Sequence, residues 1–205
     1  MPPTPLKPRL TTRQMKTAHL RNSCATFITG FSLTEMMVTL TIISLLLGLA
    51  IPSYQAFAAS SYISSEVSEL NSDIELARRE ALKLGQTVIV CPSKNAIDCT
   101  DQASWANGWI VFTTENDCSS TNGTLLRIKH AFASSTTANY IPFEIGHSAL
   151  CFSHLGVSSA DNAGLFIFNT PPAKDKYKRC LTVSDTGPAQ VMQKGQSDIY
   201  GTTCS

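Results

Sequence analysis

The chain has 205 residues, 43% of them hydrophobic, with 16 Lys and Arg against 15 Asp and Glu and seven cysteines. Five of the basic groups (Lys7, Arg9, Arg13, Lys16, Arg21) precede Gly30, so the remainder carries 11 Lys and Arg against 15 Asp and Glu, a net of −4. That balance excludes a protein steered to nucleic acid by its overall field, and the length beyond the first apolar segment, roughly 145 residues, suits one soluble domain.

A basic stretch free of acidic residues precedes Gly30, with Met1 or Met15 as its start. From Phe31 to Ile51 the only ionisable side chain is Glu35. As a helix this run spans about 30 Å, the thickness of a bilayer's hydrocarbon core. The basic residues ahead of it assign that end to the cytoplasm. A carboxylate inside such a span is costly unless it has a partner or a task. Pro52 predicts a kink or local melting between Gly48 and Ser53.

The helical pattern then resumes. Ile63, Val67, Leu70, Ile74, Ala77, Ala81 and Leu84 alternate steps of four and three and form one apolar stripe. Glu66, Glu69, Asp73, Glu75, Arg79 and Lys83 are assigned to the opposite face, and Gly85 ends the helix. After Gly85 the period becomes strand-like. Strands are expected at residues 87–91, 108–113, 124–132, 140–145, 149–153, 164–169 and 179–184, with a short one at 189–193. Asn122-Gly123 and Asp185-Thr186-Gly187-Pro188 read as turns. One helix followed by seven or eight short strands gives an α+β fold, with antiparallel sheet on the helix.

Gly30 followed by Phe31-Ser32-Leu33-Thr34-Glu35 and an apolar helix resembles the class III signal of type IV pilins and type II secretion pseudopilins. The alternative, an ordinary single-span anchor with a stray glutamate, leaves this spacing to chance. Further along, Arg78-Arg79-Glu80-Ala81, Gly85-Gln86-Thr87-Val88, Cys91-Pro92-Ser93, Cys99 and Gly108-Trp109-Ile110-Val111-Phe112 resemble the GspH/FimT branch of minor pilins and pseudopilins. The resemblance implies the type IV pilin fold, a long N-terminal helix packed on antiparallel sheet. It implies a leader (1–30) cut after Gly30 by a prepilin peptidase that N-methylates Phe31, and a transmembrane and assembly half-helix (31–52). A globular domain (53–205) follows, helical to about residue 85. Glu35 would pair with the N-terminal amine of a neighbouring subunit, since a buried carboxylate and a buried ammonium are each prohibitive alone and tolerable together.

The function implied is that of a minor pilin of a type IV pilus, first single-pass in the inner membrane with a periplasmic domain and then part of the surface fibre. Its partners would be the peptidase and other major and minor pilins or pseudopilins. A GspH-like pseudopilin of a type II secretion system and a DNA-binding subunit for natural transformation are the alternatives.

Cys24 lies in the leader. The remaining six cysteines suit an exported, disulfide-bonded domain, with fifteen pairings open to sequence alone. The branch closes a small loop with its first two cysteines, which implies Cys91–Cys99. A Cys180–Cys204 bridge would pin a tail that otherwise frays, and Cys118–Cys151 remains, joining two connecting regions. No catalytic set emerges and no cofactor is expected. His147-x3-Cys151-x2-His154 has metal-like spacing, but on a strand His154 points away from the other two. His130 reads as a surface or half-buried residue, and the Ser/Thr-rich stretches 119–121 and 134–137 as loops. Lys174, Lys176, Lys178 and Arg179 around Tyr177 form a basic patch that could hold phosphate weakly. A solvated loop face is the simpler reading. The turn 186–190, where DNA-capturing relatives carry arginines, has none here.

Overall fold

The computed structural model describes residues 30–115, 118, 123–133, 135–143, 148–158, 163–171, 176–185 and 189–205. One helix, α1 (Leu33–Leu84), precedes eight strands. These are β1 (Thr87–Pro92), β2 (Gly108–Thr114), β3 (Leu125–His130), β4 (Thr137–Pro142), β5 (Leu150–Phe152), β6 (Gly164–Asn169), β7 (Arg179–Val183) and β8 (Gln190–Gln193). The chain divides into two compact units between Leu45 and Leu46. The first holds the start of α1, and the second holds its remainder and all eight strands. Helical backbone continues from Gly48 to Ser53, so the melting expected at Pro52 is absent. One missing N–H donor leaves the bonds of the turns on either side in place.

In the second unit the apolar stripe faces inward. Ile63, Val67, Leu70, Ile74, Ala77 and Ala81 are each 1% exposed or less. Each larger side chain among them contributes about 1.5–3 kcal/mol by leaving water. Leu84 departs from expectation and is exposed. It sits in the last turn, where Gly85 takes φ +64° and the chain leaves for β1. A second departure is larger. Glu66 and Asp73, assigned to the opposite face, are buried. Asp73 stands three residues after Leu70 and one before Ile74, about 60° and 100° around the helix, so it flanks the stripe.

The strands form two antiparallel four-stranded sheets, β3-β2-β1-β5 and β4-β6-β7-β8. β1 and β2 are near-continuous apolar runs because both faces of the first sheet are covered. Val88, Val90, Trp109 and Val111 face α1, while Ile89, Cys91, Ile110, Phe112 and Cys151 form a separate cluster on the far side. The second sheet repeats the arrangement. Ala138, Tyr140, Phe166, Phe168, Leu181 and Val183 join the main core, and Leu165, Cys180, Met192 and Cys204 cluster on its outer face. β4 begins earlier than expected, at Thr137, which pairs with Asn169. It ends at Pro142, which has no N–H to continue a ladder.

Trp105 joins the two sheets. Its backbone N–H donates to the Ala138 carbonyl at 2.8 Å, and Ser104 bridges to Asn139 of β4. Its fully buried ring lies 4.8 Å edge-on from Phe166 and 6.3 Å from Trp109, centroid to centroid. A loop between two strands of one sheet thereby supplies an aromatic to the core shared with the other.

Candidate functional site

The first locus is the N-terminal segment. Gly30 and Phe31 precede the helix, and Phe31 is 72% exposed. The Ser32 carbonyl accepts from the N–H groups of Glu35 and Met36 at 3.1 and 3.2 Å, closing the first turn. Glu35 lies in that turn, where the helix dipole favours an anion. The large apolar side chains described between Phe31 and Ile51 are half-exposed or more. The polar exceptions satisfy themselves: the hydroxyls of Thr39, Thr41 and Ser44 donate to the carbonyls of Met36, Val38 and Thr41 at 2.7–2.9 Å. A helix built this way needs no water along its sides. By length and composition α1 contains a segment able to cross a membrane, and none of that segment is buried within the chain.

The second locus lies where α1 meets β2 and β3. The Trp109 indole Nε1 donates to Asp73 Oδ2 at 2.8 Å, and Arg127 Nε lies 2.7 Å from Asp73 Oδ1. Lys129 Nζ lies 2.9 Å from Glu66 Oε2, also pairs with Glu69 Oε2, and stands 5.8 Å from the Trp109 ring centroid. Burial pushes the Asp73 carboxyl above the ordinary carboxylate range, against the Trp109 hydrogen bond and the Arg127 charge. For Lys129 burial acts to lower the pKa, but hydrogen bonds and charges from Glu69 and Glu66 together hold it raised. β3 thus turns two cations toward the helix and leaves Ile128 outward and exposed, which inverts the usual apolar-inward pattern. A register shift between Val111 and Phe112 lets Leu126 still pack against the core. The network fixes the rotation of the helix on the sheet.

The six cysteines after Gly30 stand as three disulfides, Cys91–Cys99, Cys118–Cys151 and Cys180–Cys204, with Cα atoms 5.5–5.7 Å apart. Each involves the outer face of a sheet. The first holds loop 93–99, where Asn95 Oδ1 accepts from the N–H groups of Ile97 and Asp98. The second fastens residue 118 to β5. The third draws the tail onto β7, where residues 195–204 close a small hairpin: Gly195 N–H donates to the Cys204 carbonyl at 2.8 Å and Cys204 N–H to the Gln196 carbonyl at 2.9 Å.

Of the metal-spaced trio, His147 lies outside the described residues, Cys151 is disulfide-bonded and His154 is exposed. No group of three potential ligands exists among the described residues. His130 is exposed. Lys174 of the basic patch is outside the described residues, as are the Asn122 and 186–188 turn positions. Lys176 is exposed and lies 5.5 Å from the Tyr177 ring centroid. Lys178 Nζ donates to the Ser205 backbone oxygen at 2.8 Å, and Arg179 Nη1 donates to the Lys178 carbonyl at 3.2 Å. The described part of the patch is therefore divided between solvent and backbone oxygens of the chain itself. Sequence reading missed Trp105, Arg127 and Lys129. Arg127 and Lys129 at alternate positions of one strand were the available signal for the cations, legible only opposite the helix carboxylates, whereas Trp105 offered none.

A long helix with an unburied apolar front half and a back half packed on antiparallel sheets defines the pilin class, structural subunits rather than enzymes. The comparisons specify the family. Residues 66–187, more than half of the chain, match the family described as type II transport protein GspH. The type IV major fimbrial protein FimA of Dichelobacter nodosus is 28% identical over 115 residues, covering 55% of this chain and 68% of that protein. The crystal structure of the type IV minor pilin FimU of Pseudomonas aeruginosa superposes with a TM-score of 0.53 at 20% identity, covering 73% of this chain and 99% of that one. The chain belongs to the GspH family of type IV pilin-like proteins.

Proposed function

We propose that this chain is a minor pilin of a type IV pilus. It is cut after Gly30, N-methylated at Phe31, held in the inner membrane by residues 31–52, and then extracted into the fibre. The observation that carries this reading is the apolar first half of α1, unburied along its length, with Glu35 as its single charge. Such a surface needs lipid or other helices around it. Glu35 then serves as the counter-charge for the Phe31 amine of a neighbouring subunit. The likeness to fimbrial FimA and to minor pilin FimU supports the pilus side.

A second reading is a minor pseudopilin of a type II secretion system, which the description of the matching family favours. Mass spectrometry of sheared surface fibres separates the two. The pilus reading expects peptides of this chain in that fraction, the first beginning at methyl-Phe31. Recovery from the cell envelope alone, with loss of protein secretion in a deletion strain, replaces it with the second. DNA capture is not proposed, because Lys178 and Arg179 are turned to backbone oxygens.

A further inference from the structure

The tail hairpin ends in a tip, Asp198-Ile199-Tyr200-Gly201-Thr202, placed over the ends of β7 and β8. Between the tip, Phe143, Thr182, Val183 and Gln190 lies a cleft of about 270 Å³ with mainly apolar walls. Asp198 lines it and is 9% exposed, while Ile199 and Tyr200 are 82% and 61% exposed. The carboxylate is fixed by the backbone, with Oδ1 accepting from the N–H groups of Tyr200 at 2.9 Å and Thr202 at 2.8 Å. Its other oxygen, Oδ2, is buried and has no hydrogen-bond partner among the described residues. A buried carboxylate oxygen left unmatched costs free energy that an arriving cationic donor recovers.

We propose that this cleft receives a lysine or arginine side chain of a neighbouring pilin-like subunit, whose aliphatic stem lies along Phe143 and Tyr200 and whose cation meets Asp198. Oδ2 is buried, so the incoming group reaches it by edging aside the exposed Ile199 or Tyr200 side chain, a motion of picoseconds to nanoseconds. Charge selects this occupant over a phosphate or nucleic acid, which the carboxylate repels. The exposed Ile199 and Tyr200 supply the apolar rim that a docking partner covers. The disulfide Cys180–Cys204 holds the hairpin on β7, so the rim is preorganised. The identity of the occupant rests on the minor-pilin reading; the chemistry of the cleft does not.

The test titrates the full mature chain, in detergent micelles, with n-butylguanidinium and n-butylammonium as side-chain probes. n-Butanol serves as the neutral control and sodium phosphate as the anion. The readout is the ¹³C-methyl resonance of Ile199, assigned with Ile199→Val. Saturable shifts are expected from at least one cation, with an affinity at least threefold above that of butanol. Asp198→Asn preserves Oδ1 as acceptor and should bring the cation down to the butanol level. Tyr200→Ala, which leaves the carboxylate untouched, should weaken binding at least twofold. Equal shifts from butanol and the cations, an unchanged Asp198→Asn variant, or a response to phosphate instead would overturn the proposal. In fibres, a photocrosslinking residue at position 199 should join this chain to another subunit. Fibres that contain the chain but show no such crosslink remove the subunit as occupant. Absence of the chain from fibres sinks the pilus reading itself, a result independent of the probe titration.

Discussion

Asp73 shows how much one side chain can decide. It accepts the Trp109 indole proton, pairs with Arg127 and is fully buried, and that burial raises its pKa. Asp73→Asn keeps an acceptor for the indole and removes the desolvated charge, leaving Arg127 near Glu69 at 3.7 Å. The unfolding free energy of the chain should change by no more than about 1 kcal/mol, measured by thermal unfolding. Asp73→Leu strands the indole N–H and should cost roughly 2–3 kcal/mol. The pH dependence has a definite sign. A carboxyl whose folded pKa lies above its ordinary 3.8 gains relative stability as pH falls toward that value, so Asp73 opposes acid unfolding. Lys129, raised above 10.5, contributes fully below that pH and loses its contribution as pH climbs past it. Burial likewise raises the Tyr140 phenol above 10, and its contribution is lost from pH 10 upward. The alkaline arm of a stability–pH profile should therefore fall from about pH 10, and Tyr140→Phe and Lys129→Met should each flatten it. An alkaline arm unchanged in both variants would contradict this account.

At the scale of elements, disulfides secure what packing alone leaves weak. Both sheets are covered on their outer faces by loops or tail rather than by a further layer, and each disulfide fastens one such cover. Cys180→Ala combined with Cys204→Ser opens the bridge that spans 24 residues, at a cost of roughly 3 kcal/mol on the loop-closure model. The hairpin should then leave β7, and trypsin should cut after the exposed Lys194 faster than in the parent chain. Circular dichroism should still report the helix, because the main core around Ile63–Ala81 lies on the other face of the sheet. Simultaneous loss of helix would mean that the tail is part of the main folding unit. Gly108 marks another such point. At φ +106° a Cβ would run into the Lys129 carbonyl, so Gly108→Ala should separate β2 from β3 and loosen the cations from the helix.

At the scale of the whole molecule, the proposed function gives the two halves of α1 different tasks. Glu35→Ala removes the only charge between Phe31 and Ile51, so membrane insertion should persist or improve. On the proposed pilus reading, incorporation into fibres should fall, because the amine of a neighbour would lose its counter-charge. Membrane fractionation beside quantitation of sheared fibres tests the division, and equal loss of both would refute it. Gly30→Ala belongs to the same scale. On the proposed cleavage after Gly30, the added methyl crowds the bond to be cut and should leave the chain uncut, visible as a larger band on immunoblots.

Much of this architecture was legible locally. The stripe from Ile63 to Ala81 and the step to strand period after Gly85 follow from side-chain spacing along a helix and a strand, which needs no partner to be read. The apolar, β-branched runs at β1 and β2 likewise announced strands, and the structure buries them. The Gly30-to-Glu35 spacing carried the resemblance because a lone carboxylate in an apolar run is too costly to be incidental. What the chain could not reveal by itself depends on groups distant in sequence. Asp73 looked like a surface acid until Trp109 and Arg127, 36 and 54 residues later, were brought beside it. Trp105 gave no sign that it joins two sheets, because that role rests on Ala138 and Phe166. The cleft beside Asp198 exists only because Cys204 is carried back to Cys180 and the hairpin tip comes to rest over β7 and β8. Periodicity encodes which face a residue occupies; pairing across long loops, and the electrostatics that follow from it, are decided when the chain closes on itself.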